Sequence, residues 1–151
     1  MPIYIEIGDD TCAPEESQRI ERTAQATLQQ QEIAAKSELS IIITDDAQLQ
    51  ELNQQFRDVD APTDVLSFPA DFSDPESGVA YLGEILISYP RVMAQAQSGG
   101  HTPEAELQLL VVHGILHLLG HDHGDEAEKA AMWTAQAEII HALGVNIILP
   151  E

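Results

Sequence analysis

Three histidines near the end of the chain have the spacing of a metal site. His113 and His117 lie four residues apart in an apolar segment with helical character. That spacing stacks their side chains on one helix face, with Cβ atoms roughly 5–6 Å apart. Gly120 follows, and glycine adopts positive φ without a steric penalty, so the helix can end there and the chain can turn back. We therefore predict that His123 approaches the same ion from another direction.

Three imidazoles would leave one position of a tetrahedral zinc ion open, which is typical of catalytic rather than structural zinc. A metal in such a site lowers the pKa of its water from ~15.7 towards ~7. Zn²⁺ is the expected ion, although a set of three imidazoles discriminates poorly against other transition metals such as Ni²⁺. The alternative is a chance cluster of histidines on a core helix.

Composition limits the classes of protein to which the chain can belong. The 151 residues are 44% hydrophobic, and we predict one domain over residues 1–151 with one core. The sole cysteine excludes an intramolecular disulfide, and no apolar run approaches the ~20 residues of a membrane span. These features favour a cytoplasmic protein. The net charge of −20 argues against a broad basic groove for nucleic acid, but it leaves room for a local contact through a metal and one or two arginines.

Strand and helix patterns alternate along the chain and predict an α/β (α+β) fold. Four segments read as strands: Ile3 to Ile7, Leu39 to Thr44, Val65 to Phe68 and Tyr81 to Ser88. Five read as helices: Pro14 to Gln31, Asp45 or Asp46 to about Phe56, Pro90 to Gln97, Thr102 to about Leu119, and Asp125 to Leu143. We expect a small mixed sheet of about four strands packed on the helix that carries His113 and His117, in a zincin-like arrangement.

Several finer expectations follow from the same patterns. The third strand is flanked by prolines, which predicts an edge position, and a loop is expected from Asp71 to Val79. The helix that begins at Thr102 is apolar nearly all round, so it should be central and buried. His101 and His141 are expected at the surface.

The histidine segment resembles the metzincin protease motif HExxHxxGxxH at every position but one. Gly114 stands where the protease has its general base, a glutamate. The substitution leaves metal binding intact, but it weakens the case for a zinc hydrolase of peptides or small molecules.

The sequence HGILHLLGHDH from His113 to His123 is more similar to the signature of the bacterial YbeY family of endoribonucleases. Arg57, Asp60, the stretch from Pro62 to Pro69, and Leu82-Gly83-Glu84-Ile85 extend the resemblance over nearly the whole chain. The chain departs slightly from the family at Glu84, where aspartate is commoner, and at Ser88, where cysteine is frequent.

The resemblance implies a single-strand-specific metallo-endoribonuclease that acts in maturation of 16S ribosomal RNA and in ribosome quality control. It implies His113, His117 and His123 as ligands and Arg57 as a catalytic residue. The partners implied are single-stranded or ribosomal RNA, the small ribosomal subunit and its assembly factors, with neither DNA nor a membrane among them. A ribosome-assembly factor with a purely structural metal is the non-enzymatic alternative.

Arg57 and His121 are the candidate catalytic side chains. A guanidinium matches two phosphate oxygens and can stabilise the charge that develops in phosphodiester cleavage. The alternative for Arg57 is an ordinary ion pair with Asp58 or Asp60. His121 has a side chain suited to proton transfer, and it could equally be a loop residue beside the metal. The nucleophile, a metal-activated water or the ribose 2′-hydroxyl, is left open.

Overall fold

A four-stranded mixed sheet forms the frame of the molecule. The computed structural model describes residues 3–7, 15–31, 33, 37–57, 64–73, 76, 80–120 and 126–144. The strands are β1 (Ile3–Ile7), β2 (Ser37–Thr44), β3 (Val65–Ser73) and β4 (Ala80–Ser88). The helices are α1 (Glu15–Gln30), α2 (Asp46–Arg57), α3 (Tyr89–Gly99), α4 (Pro103–Leu118) and α5 (Glu126–Ala142). The predicted α+β class and the small mixed sheet are thereby confirmed.

The strand order is β1-β2-β4-β3. The β1–β2 and β2–β4 pairs are parallel, whereas β3 runs antiparallel to β4. The predicted edge position of β3 is confirmed, and it allows the strand to contain Pro69, which lacks an N–H to donate to a ladder.

Strand β3 is longer than the sequence predicts. It continues to Ser73, so the expectation that the loop begins at Asp71 is wrong. The extension follows from antiparallel pairing, because Phe72 and Ser73 align with Tyr81 and Ala80 after a register shift beyond Pro69. Backbone hydrogen bonding to a neighbouring strand thus overrides a composition that is typical of a loop.

The two faces of β4 bury different layers because successive side chains point to opposite faces of a strand. Ile85 and Ile87 lie in the main core with the apolar stripes of α1 and α4. Leu86 faces the other way and packs with Leu49 of α2 and Leu66 of β3. Helix α2 therefore covers the face of the sheet opposite α4.

Helix α4 is central and buried, as predicted. One side of it packs in the main core through Leu107, Val111 and Ile115. Its other side packs on α5 through Val112 and Leu116, with Met132 of α5 fully buried between the two helices. A helix enclosed in this way holds its side chains in fixed rotamers, which suits a site that needs defined geometry.

One histidine lies where the sequence did not place it. The His101 side chain is only 10% exposed, so the expected surface position is wrong, whereas His141 is exposed as expected. The turn between α3 and α4 folds the His101 ring inward, where it lies 3.4 Å from a carboxylate oxygen of Glu106. Within the described residues, no helix combines the length and the apolar content needed to cross a bilayer.

Candidate metal centre

Helix α4 brings His113 and His117 together. Their Nε2 atoms lie 3.1 Å apart, and the ring centroids are 4.7 Å apart with an interplanar angle of 72°. The N-terminus of the helix is capped. The Thr102 hydroxyl accepts a hydrogen bond from the Ala105 N–H at 3.1 Å, and Pro103 occupies the first turn. Both rings are partly exposed, in contrast to most of this helix.

The distance between the two nitrogens fits a shared zinc ion. Two imidazole nitrogens at ~2.05 Å from a tetrahedral zinc would be separated by about 3.3 Å. The observed 3.1 Å lies close to that separation. The pair therefore fits the donor chemistry and the geometry of two of the three predicted ligands.

Gln136 of α5 fixes the tautomer of His113. The Nδ1 atom of His113 lies 3.1 Å from Oε1 of Gln136, and an amide oxygen only accepts hydrogen bonds. Nδ1 therefore carries the proton, which leaves the lone pair of neutral His113 on Nε2, the atom that faces His117. Gln136 is 1% exposed, so the acceptor end of this bond is buried. A side chain that accepts a hydrogen bond from a metal ligand, without binding the metal itself, orients that ligand and raises its basicity.

Gly120 and the end of α4 confirm the predicted turn. Gly120 has a φ of +97°, in the region that favours glycine, and its N–H donates to the His117 carbonyl at 3.1 Å. The helix therefore ends at Leu118, one residue beyond His117, and Gly120 takes the positive φ that the sequence predicted.

Gly114 lies against the sheet. A Cβ placed on it would lie 2.8 Å from Cγ2 of Ile85, a fully buried residue of β4. At that distance even a methyl group fits only if the Ile85 side chain shifts. A glutamate at position 114 would therefore overpack the core, which is a steric argument against the peptidase interpretation.

The chain is similar to known proteins over nearly its whole length. The family model described as Endoribonuclease YbeY matches residues 5–144. The Endoribonuclease YbeY of Roseiflexus sp. (strain RS-1) is 49% identical over 150 residues, which cover 95% of this chain and 94% of the relative. That of Chloroflexus aurantiacus (strain ATCC 29366 / DSM 635 / J-10-fl) is 48% identical over 151 residues, covering 96% and 98%.

The chain belongs to the YbeY family.

A solved structure with the same fold supports the assignment. The solution structure of TM1509 from Thermotoga maritima superposes with a TM-score of 0.60 at 28% identity, covering 95% of this chain and 92% of that one. Membership in the YbeY family confirms the resemblance that the histidine segment and the region from Arg57 to Pro69 indicated.

Not all of the predicted site residues lie in the described part of the chain. His123 and His121 lie outside it. Arg57 is the last residue of α2, and the structure describes its backbone only. Among the described residues, no group of three or more His, Cys, Asp or Glu side chains is placed to share an ion, and the third predicted ligand is not among those residues.

The sequence analysis missed Gln136. A signal for it was present, because Met132, Gln136, Ile139 and Ile140 fall on one helical stripe and all are buried. A polar side chain in a buried apolar stripe needs a hydrogen-bond partner, and His113 provides it.

Proposed function

We propose that this chain is a zinc-dependent endoribonuclease that cuts single-stranded RNA during maturation of 16S ribosomal RNA. The observation that carries the proposal is the 3.1 Å separation of the Nε2 atoms of His113 and His117, with Gln136 holding His113 in the ligating tautomer. Family membership supplies the reaction, because the relatives that match over nearly the whole chain are named endoribonucleases.

His113, His117 and His123 would hold the ion. A divalent cation held by these residues would supply Lewis-acid chemistry and would lower the pKa of a bound water. Zn²⁺ suits three imidazoles, although such a set discriminates poorly against other transition metals such as Ni²⁺. The protein contributes ligand orientation through the buried bond from His113 to Gln136.

Arg57 and His121 complete the proposed chemistry. The guanidinium of Arg57 would pair with the non-bridging phosphoryl oxygens and stabilise the charge that grows on them in the transition state. His121 would move a proton to or from the oxygens that bond to phosphorus. Attack by water leaves a 5′-phosphate, and attack by the ribose 2′-hydroxyl leaves a 2′,3′-cyclic phosphate, so the product ends identify the nucleophile.

The acidic surface bears on how the substrate arrives. Six Lys and Arg oppose 26 Asp and Glu, so long-range attraction for a polyanion is weak. We propose that the small ribosomal subunit or its assembly factors present the RNA and supply the affinity that this surface lacks. The same association would place the enzyme in ribosome quality control in the cytoplasm.

The test combines metal analysis with RNA cleavage in three variants. We expect His117→Ala to lose both bound zinc and cleavage of single-stranded RNA. The matched control is His141→Ala, which removes an exposed histidine on α5 and should change neither. We expect Arg57→Ala to keep its zinc and lose about 10²–10³ in cleavage rate, the usual cost of removing one charge-stabilising group.

Two results would overturn the proposal. Cleavage that persists in zinc-free protein would leave the metal without a catalytic role. Zinc bound by a wild-type protein that cuts no RNA would favour an assembly factor with a structural metal. Unchanged cleavage by Arg57→Ala would remove Arg57 from the mechanism.

A further inference from the structure

A cavity of about 460 Å³ lies beside the candidate metal centre, between α3, α4 and α5. His113 and Gln136 form part of its lining, so the cavity reaches the buried bond that orients the first metal ligand. The proposed chemistry uses nothing else in this cavity. Its volume exceeds that of a nucleobase.

One part of the cavity wall is apolar and aromatic. Trp133 lines it together with Leu109 and Leu110. The indole contacts the His113 ring edge-to-face, with centroids 5.9 Å apart at an interplanar angle of 67°. Aromatic side chains beside a single-strand site are the usual surfaces on which unstacked bases pack.

The polar part of the wall includes two carboxylates, Asp64 and Glu106, each in contact with a neighbouring polar side chain. Gln95 donates through Nε2 to Oδ2 of Asp64 at 3.2 Å, and Nε2 of His101 lies 3.4 Å from Oε2 of Glu106. The hydrogen bonds that the structure gives engage one oxygen of each carboxylate. The second oxygen of each keeps its acceptor capacity, and the first oxygen, with two lone pairs, can accept one more hydrogen bond. Glu106 is 5% exposed, so a ligand that meets its carboxylate must enter the cavity to do so.

These walls select the chemistry of the occupant. A cavity lined by two carboxylates repels phosphate and favours a flat, neutral group that presents N–H donors. Guanine is the base whose Watson–Crick edge carries two adjacent donors, at N1 and N2, and they match the two oxygens of one carboxylate. Lys129 stands outside, with its Nζ 5.9 Å from the centre of the Trp133 ring, where a cation could meet the phosphate of the same nucleotide.

We infer that this cavity binds a guanine base of single-stranded RNA, with Glu106 reading its Watson–Crick edge and Trp133 packing on its face. The inference rests on the proposed function and deepens it: the enzyme would select a guanosine next to the phosphate that it cuts. A base engaged in this way cannot be paired with another strand. The cavity would therefore also contribute to selection of single-stranded substrate.

The experiment uses the intrinsic fluorescence of Trp133, which is the only tryptophan in the chain. Wild-type protein is titrated with guanosine, inosine, adenosine, cytidine and uridine 5′-monophosphates. Inosine lacks only the 2-amino group, so the comparison with guanosine needs no protein variant. We expect guanosine monophosphate to bind about tenfold more tightly than inosine monophosphate, within the range found for one bidentate base contact.

Glu106→Gln is the matching protein variant. Its amide keeps an acceptor oxygen for His101 but replaces the second carboxylate oxygen with a donor. We expect its preference for guanosine over inosine monophosphate to fall to about twofold or less, since the paired acceptors are gone. Glu104→Gln, which alters an exposed residue of α4 two positions before Glu106, should keep the wild-type preference.

The outcomes separate this inference from the proposed function. Equal binding of the five nucleotides, no binding of any, or an unchanged preference in Glu106→Gln overturns the guanine cavity, even if the protein cuts RNA. Selective binding of guanosine monophosphate by a protein that cuts no RNA supports the cavity and overturns the proposed function. If Glu106→Gln does not fold, the comparison of guanosine with inosine in the wild-type protein decides.

Discussion

The Nδ1–H of His113 donates to the amide oxygen of Gln136 across 3.1 Å, linking α4 to α5 at the candidate metal centre. This contact leaves the lone pair of neutral His113 on Nε2, which lies 3.1 Å from Nε2 of His117. Metal affinity should therefore depend on a residue that does not touch the metal.

Replacing Gln136 tests that dependence. Gln136→Leu removes the acceptor, and loss of an outer partner typically costs 10–100-fold in metal affinity. We expect that loss in zinc affinity, measured by competition with a chelator. Gln136→Glu restores an acceptor for Nδ1–H and should recover most of the affinity.

The control is Gln97→Leu, which changes an exposed glutamine of α3 and should leave zinc affinity at the wild-type value. Equal affinities in Gln136→Leu and the wild-type protein would show that the bond does not orient the ligand.

The contact between Gly114 and Ile85 gives a prediction for stability. In an open helix, alanine is favoured over glycine by about 1 kcal/mol. At position 114 the added methyl would lie 2.8 Å from Ile85 Cγ2, and overpacking a core costs about 1–3 kcal/mol. We expect the cost of overpacking to exceed the gain in helix propensity. Gly114→Ala should therefore lower the free energy of unfolding, measured by denaturant titration, by about 1 kcal/mol.

A double-mutant cycle identifies the cause. Ile85→Ala removes the atoms that the new methyl would strike, so in that background Gly114→Ala should raise the free energy of unfolding. A stabilising effect of Gly114→Ala in the wild-type background would show that the helix has room at this position and that the steric argument against a glutamate is wrong.

Glu106 gives a prediction for pH. Burial raises its pKa above the ordinary value of 4.5; the hydrogen bond and charge of His101 oppose the shift, and the charge of Asp64 adds to it. Between the unfolded and folded pKa values the folded protein binds more protons than the unfolded chain, so the free energy of unfolding falls as pH rises. The contribution is fully present below about 4.5 and is lost as pH rises through the folded pKa.

Glu106→Gln should therefore show a smaller decline in unfolding free energy than the wild-type protein as pH rises from 4.5 towards neutrality. Glu104→Gln, at an exposed position on the same helix, should follow the wild-type curve. Parallel curves for all three proteins would mean that Glu106 titrates alike in the folded and unfolded states.

The scarcity of basic residues predicts a shallow salt dependence. Each phosphate contact on a single strand contributes a slope of about −0.7 in log K against log salt, and we expect no more than roughly four contacts. Binding of an isolated single-stranded RNA should therefore show a slope no steeper than about −3. A steeper slope would show that the free protein binds RNA through more phosphate contacts than expected. Presentation of the RNA by the ribosome would then not be needed.

The periodicity of apolar residues in the sequence predicted most of the strands and helices. Alternation and helical stripes indicated the strands and helices because burial of one face is decided by neighbours within a few residues. Features set by distant pairing were harder to predict. Strand β3 reaches Ser73 only because β4 lies beside it, and His101 is buried only because the turn between α3 and α4 places it near Glu106.

In the candidate site, too, features set within one helix were predictable from the sequence, and features set by tertiary packing were not. The spacing of His113 and His117 predicted their meeting, since one helix fixes it. The bond to Gln136 spans 23 residues and two helices, and only the packing of α5 on α4 creates it. Gly114 was recognised as a departure from the protease motif, but its reason, the Ile85 side chain, is a tertiary contact.

Zinc K-edge X-ray absorption of the purified, zinc-loaded protein tests the central claim most directly, namely that His113, His117 and His123 hold one ion. We predict three imidazole nitrogens at about 2.0–2.1 Å from the metal. The same spectrum should be absent or altered in His117→Ala and unchanged in His141→Ala. A wild-type protein that binds no zinc, or a spectrum that His117→Ala leaves intact, would contradict the account.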